Sequence, residues 1–144
     1  MSVALLFPGQ GTQHPAMLPW LEDCDAARPL LARLAAELGG DWRARLADTA
    51  WSQSNAVAQL LVTGASLAAW SALSTVLPRA VAVAGYSVGE LGACVAAGML
   101  QPDDAMTLAV RRAAAMDACA VDGAAGLLGV SDVDPVDVDR KSVV

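Results

Sequence analysis

The feature that most restricts this chain is the stretch from Ala80 to Glu90, Ala-Val-Ala-Val-Ala-Gly-Tyr-Ser-Val-Gly-Glu. Ala80 to Ala84 is a short apolar run, the pattern of a buried parallel strand. Leu91 to Gly98 continues as an apolar, alanine-rich segment suited to a core helix. Between them lies G-x-S-x-G, filled by Gly85, Tyr86, Ser87, Val88 and Gly89. A strand that turns sharply into a helix crowds its backbone, and glycines on either side of the serine remove the side chains that would clash. Such a turn lifts a hydroxyl clear of the sheet and sets it at a helix N-terminus, where free N–H groups and the dipole favour developing negative charge. Serine is also a common helix N-cap, so the elbow alone leaves nucleophile and cap both open.

The remaining segments supply an α/β frame. Val3 to Phe7 reads as a first core strand that delivers the loop Pro8-Gly9-Gln10-Gly11-Thr12-Gln13 at its carboxyl end, where α/β sheets place their ligands. Helices are expected over Asp25 to Leu38, ended by Gly39-Gly40, and over Trp42 to Asp48. A long helix capped by Ser54 or Asn55 is expected to run to Leu77, with Pro78 as its stop. Gly98 closes the elbow helix, and another helix opens at Pro102 or Asp103 and runs to about Ala120. Ala124 to Val130 has the look of one more strand, after which Asp and Val alternate around Pro135.

A chain of 144 residues with 56% hydrophobic and 17% charged residues builds one packed domain rather than a disordered tail. Its formal net charge of −6 argues against non-specific nucleic-acid binding and against an anionic membrane surface. From Asn55 to Leu77 no residue is charged, a length that would suit a membrane span. Gln59, Thr63, Ser66, Ser71, Ser74 and Thr75 punctuate the run and no basic cluster flanks it, so a helix buried in an α/β domain is the better account. Cys24, Cys94 and Cys119 are widely spaced and odd in number, the pattern of reduced thiols in a cytoplasmic protein. The start, Met-Ser-Val-Ala, carries no basic region of a signal peptide.

Phe7-Pro8-Gly9-Gln10-Gly11-Thr12-Gln13 together with Gly85-Tyr86-Ser87-Val88-Gly89-Glu90 resembles the malonyl-CoA:acyl-carrier-protein transacylases, the acyltransferase family of fatty-acid and polyketide synthesis. A third match is Arg112 within Val110-Arg111-Arg112-Ala113-Ala114-Ala115-Met116, 25 residues past the serine, where the family carries R-x-x-x-M. The malonate decarboxylase epsilon subunit is a close relative with the same chemistry. The resemblance reaches from about Val3 to Val130. It implies an α/β fold with a parallel-sheet, α/β-hydrolase-like core built around a nucleophile elbow. Residues 1–123 would form the N-terminal part of the large subdomain and 124–138 the start of a small ferredoxin-like subdomain, incomplete here. Asp139-Arg140-Lys141-Ser142-Val143-Val144 reads as a non-native tail.

The resemblance also implies roles. Ser87 would be the nucleophile that takes the malonyl group from malonyl-CoA and surrenders it to the phosphopantetheine thiol of an acyl-carrier protein. The backbone N–H groups of Gln10 and Val88 would form the oxyanion hole, with Gly85 and Gly89 shaping the elbow. Arg112 would hold the free malonyl carboxylate, a task suited to a planar, permanently charged guanidinium. No metal and no bound cofactor is implied. The family usually has histidine before the nucleophile, and here Tyr86 stands there. Its activating histidine lies roughly a hundred residues downstream of the serine, so the catalytic His is expected to be absent from this chain and the 144 residues alone to be inactive. His14, the chain's one histidine, sits near the loop, but a base needs both reach and orientation, and a loop position by chance is the better reading.

Glu90 is as well explained by the helix dipole as by catalysis. Arg111 and Arg112 point about 100° apart on a helix, and only the spacing selects Arg112. The four tryptophans show no stacking pattern for nucleic acid. An α/β-hydrolase esterase would share G-x-S-x-G but would have no use for the Gln10 loop or for Arg112.

Overall fold

The computed structural model describes residues 2–11 and 13–120. The strand expected at Ala124 to Val130, the small subdomain and the tail at 139–144 lie outside those residues. Among the described residues two strands form the sheet, β1 (Val3–Phe7) and β2 (Ala80–Gly85), paired in parallel from Val3↔Ala80 to Phe7↔Gly85. Parallel pairing requires a long crossover. Here it holds a 3₁₀ turn at Pro19–Asp23 and four helices, α1 (Arg28–Leu38), α2 (Trp42–Arg45), α3 (Thr49–Ser52) and α4 (Asn55–Leu73). After β2 come α5 (Gly89–Ala96) and α6 (Pro102–Cys119).

Helix α4 is the central post. It packs against α1, α5 and α6, and its Val57, Leu60, Leu61, Val62, Ala65, Leu67 and Ala68 are all buried. Leu30 and Leu34 of α1 join Leu60, Leu61, Leu67 and Ala68 in the main cluster, together with Leu21, Ala27, Trp42, Leu46, Ala105 and Met106. Length and a mean hydropathy of 1.5 would suit α4 to a membrane, yet 61% of that stretch is buried within the protein. Burial on several sides explains its nearly unbroken apolar sequence.

The termini of several helices differ from the sequence expectation for local reasons. Helix α1 begins at Arg28, because Asp25 to Ala27 form turns and Pro29 occupies the first helical turn. The segment expected as one helix from Trp42 to Asp48 stops at Arg45. Asp48 instead caps a separate one-turn helix, its Oδ1 accepting from the Trp51 N–H at 3.2 Å. Helix α4 ends at Leu73 rather than Leu77; Ser74 Oγ and Thr75 Oγ1 bond back to the carbonyls of Ser71 and Ala72, which competes with continuing the helix. Gly98, at φ +76°, ends α5 as expected, with the Met99 N–H returning to the Cys94 carbonyl at 2.9 Å.

The sheet departs from expectation in its covering. β2 reads as a buried strand, but Val81 is 71% exposed, and on β1 Leu6 is 80% exposed. Helix α5 packs on both strands, while among the described residues no element covers Leu6 or Val81. Beside β1, a cavity of about 270 Å³ opens between the strand and α4, lined by Leu5, Leu6, Phe7, Trp70, Leu73 and Leu77.

Candidate active site

The elbow forms where β2 turns into α5. Ser87 sits at φ +55°, the left-handed region that costs a non-glycine residue about 1–3 kcal/mol and persists only where its surroundings enforce it. The enforcement is visible in the two flanking glycines. A Cβ on Gly85 would fall inside the contact shell of the Gly89 carbonyl and the Glu90 nitrogen. One on Gly89 would collide with the Phe7 carbonyl and come within 2.6 Å of the Pro8 oxygen. Strand β1 is therefore pressed against the start of α5, and the Tyr86 N–H donates to the Phe7 carbonyl at 3.0 Å.

Ser87 is not a helix cap. The N-cap of α5 is Val88, without a side-chain cap bond, and the Ser87 hydroxyl is turned toward α6. Arg112 Nη2 donates to Ser87 Oγ at 3.1 Å, joining residues that lie 25 positions apart. Arg111 is exposed and Arg112 half-buried, so the structure distinguishes the two neighbours that helical geometry alone does not. Among the described residues Arg112 has no carboxylate partner; the ion pairs are Arg28–Asp25, Arg33–Asp103 and Arg43–Glu22.

The loop after β1 is fastened to the start of α4. Gln10 Nε2 donates to Asn55 Oδ1 at 3.2 Å, and Asn55 Nδ2 donates to Asp117 Oδ1 on α6 at 2.6 Å. Gln13 Oε1 accepts from the Gly11 N–H at 2.7 Å while its Nε2 donates to the Ser52 carbonyl at 2.8 Å. Among the described residues neither the Gln10 nor the Val88 backbone N–H has a hydrogen-bond acceptor. Val88 itself is fully buried against Val62 and Ala109. The Tyr86 side chain is 77% exposed and lies over Gly9, where a Cβ would come within 2.7 Å of the ring.

Neither of the other two candidates is bonded to Ser87 Oγ. His14 is exposed, its carbonyl accepting from the Met17 N–H, and no imidazole is bonded to Ser87 Oγ among the described residues. Glu90 is exposed in the first turn of α5, where an acidic side chain favours the dipole. No group of three or more His, Cys, Asp or Glu side chains that would hold a metal is gathered among the described residues.

Sequence reasoning missed the polar seam between α4 and α6. Asn55 and Gln59 are one helical turn apart on α4, as are Arg112 and Met116 on α6, so each pair shares a face. The signal was present: Gln59 is a polar residue in an apolar run at helical spacing from Asn55.

Comparison with known proteins agrees with this architecture. Residues 4–144 match the acyl transferase domain family, and the chain belongs to that family. It is 41% identical over 143 residues to the malonyl CoA-acyl carrier protein transacylases of Mycobacterium tuberculosis and Mycobacterium bovis, covering 92% of this chain and 46% of each of those. A probable mitochondrial malonyl-CoA-acyl carrier protein transacylase of Drosophila melanogaster is 37% identical, with 91% of this chain and 36% of the relative covered. In structure the chain resembles the acyl-carrier-protein S-malonyltransferase of Burkholderia pseudomallei, with a TM-score of 0.70, 31% identity, and coverage of 84% of this chain and 40% of the other. The chain thus spans about half the length of the curated relatives it matches.

Proposed function

We propose that this chain carries the acyl-accepting part of a malonyl-transfer site acting in the cytoplasm. Ser87 Oγ attacks the thioester carbonyl of malonyl-CoA, giving up its proton to a base, and the tetrahedral oxyanion is received by the N–H groups of Gln10 and Val88. Collapse expels coenzyme A as its thiol and leaves a malonyl ester on Ser87. The phosphopantetheine thiol of an acyl-carrier protein then attacks that ester, regenerating the serine. Arg112 holds the free carboxylate through both steps, which selects a diacid thioester over a simple acyl one. The family resemblance implies a histidine imidazole as that base; among the described residues the group bonded to Ser87 Oγ is Arg112, not an imidazole.

The observation that carries this reading is the 3.1 Å contact between Arg112 Nη2 and Ser87 Oγ. A half-buried guanidinium with no carboxylate partner among the described residues sits beside a strained hydroxyl. A malonyl ester on that oxygen bears its carboxylate only one methylene beyond the ester carbonyl. Incubation of the full-length protein with malonyl-CoA, followed by peptide mass analysis, tests it. A malonyl adduct on the Ser87 peptide that is discharged by holo acyl-carrier protein is expected. Release of free malonate with no transfer would place the protein with the esterases instead.

A further inference from the structure

Gln59 is the one polar side chain of α4 that is both completely buried (0% exposed) and bonded to the site, with its Oε1 accepting from Arg112 Nη1 at 2.7 Å and its Nε2 donating to Met116 Sδ at 2.9 Å. We infer that Gln59 is a positioning residue for the Arg112 guanidinium, fixing its plane and its charge for an incoming carboxylate. This rests on the reading of Arg112 as the carboxylate clamp.

The argument is one of geometry and charge. A guanidinium has only donors, so whatever anchors it must offer an acceptor. The amide oxygen of Gln59 does so at one end, Nη1, and leaves Nη2, at present on Ser87 Oγ, toward the nucleophile. The Met116 sulfur, one turn beyond Arg112 on α6, takes the amide N–H and so holds the Gln59 oxygen facing the arginine. A glutamate at this place would also accept the bond, but as an ion pair it would cancel the charge that the substrate needs. A neutral acceptor in a dry position orients the cation without neutralising it. Because Gln59 is fully buried on α4, a helix largely enclosed by its neighbours, the anchor cannot swing out into solvent.

The test compares malonyl-CoA with acetyl-CoA as donors to holo acyl-carrier protein in the full-length protein, for wild type and the Gln59→Leu, Gln59→Glu and Arg112→Ala variants. Gln59→Leu is expected to raise the KM for malonyl-CoA about 10- to 100-fold, the range set by loss of a hydrogen bond to a charged group. Acetyl transfer should change by less than about threefold, since it makes no use of the clamp. Gln59→Glu keeps the acceptor and the shape but is expected to lose malonyl preference at least as fully, by occupying the guanidinium. Should the leucine variant fail to fold, the near-isosteric glutamate variant decides. Equal losses with both donors, or an unchanged malonyl-to-acetyl ratio in both Gln59 variants, would overturn the positioning role. If Arg112→Ala itself leaves the ratio unchanged, it is the clamp reading beneath that fails.

Discussion

Two parts of this small sheet-and-helix unit contrast sharply. At the carboxyl end of the strands, β1, β2, α4, α5 and α6 converge on Ser87, and polar side chains there are paired: Gln10 with Asn55, Asn55 with Asp117, Gln59 with Arg112 and Met116. Elsewhere on the same strands, Leu6 and Val81 stand bare, although parallel sheets are ordinarily covered on both faces. Contacts among the described residues hold the first region together. The second presents apolar surface of the kind that proteins bury, and it adjoins the cavity between β1 and α4. A corner can be organised in detail while the sheet it hangs from is half dressed.

The contrast can be broken at the elbow first. Ser87→Ala in the full-length protein should abolish the malonyl adduct and lower transfer by roughly 10⁴-fold or more, read by peptide mass analysis and turnover. Gly85→Ala should unfold the corner rather than tune it, because the new methyl meets backbone that has nowhere to go; a loss of about 3 kcal/mol in denaturant titration is expected. Arg112→Ala should reduce malonyl-CoA use by about 100-fold while sparing acetyl-CoA, and equal losses would contradict the clamp.

The bare face gives subtler effects. In the isolated 144-residue chain, Leu6→Lys should reduce aggregation and binding of a hydrophobic dye, with stability changed by less than about 0.5 kcal/mol. The same substitution in the full-length protein should be distinctly destabilising if that face is covered there. A monodisperse, cooperatively melting isolated chain that ignores the dye would remove the contrast altogether.

The elbow was legible in the sequence because its constraint is local: glycines two residues either side of one serine, between an apolar strand and an apolar helix. The Gln10 loop and Arg112 were legible through family resemblance, and the structure brings Arg112 onto Ser87 and the loop against α4. What was hidden was relational. Nothing in the sequence alone says that Asn55 and Gln59 face α6, because an i, i+4 pair of amides marks a shared face without naming the neighbour. The exposure of Val81 was misread for the same reason, since an apolar run reports what a strand prefers to bury and not what is present to bury it. The stop of α4 at Leu73 turned on hydroxyls that bond back to their own helix, a competition that Pro78 obscured.

The parallel pairing of Phe7 with Gly85 also has a consequence for how the chain reaches its native state. Helices α1 to α4 are closed by short-range bonds, but the strained turn at Ser87 is held by Phe7 and Pro8, partners drawn from the opposite end of the crossover. Closing so long a stretch is entropically slow, and contacts of high sequence separation lengthen folding times. During synthesis the elbow therefore has no scaffold until β2 has left the ribosome and found β1. The serine corner therefore waits on the pairing of the two strands.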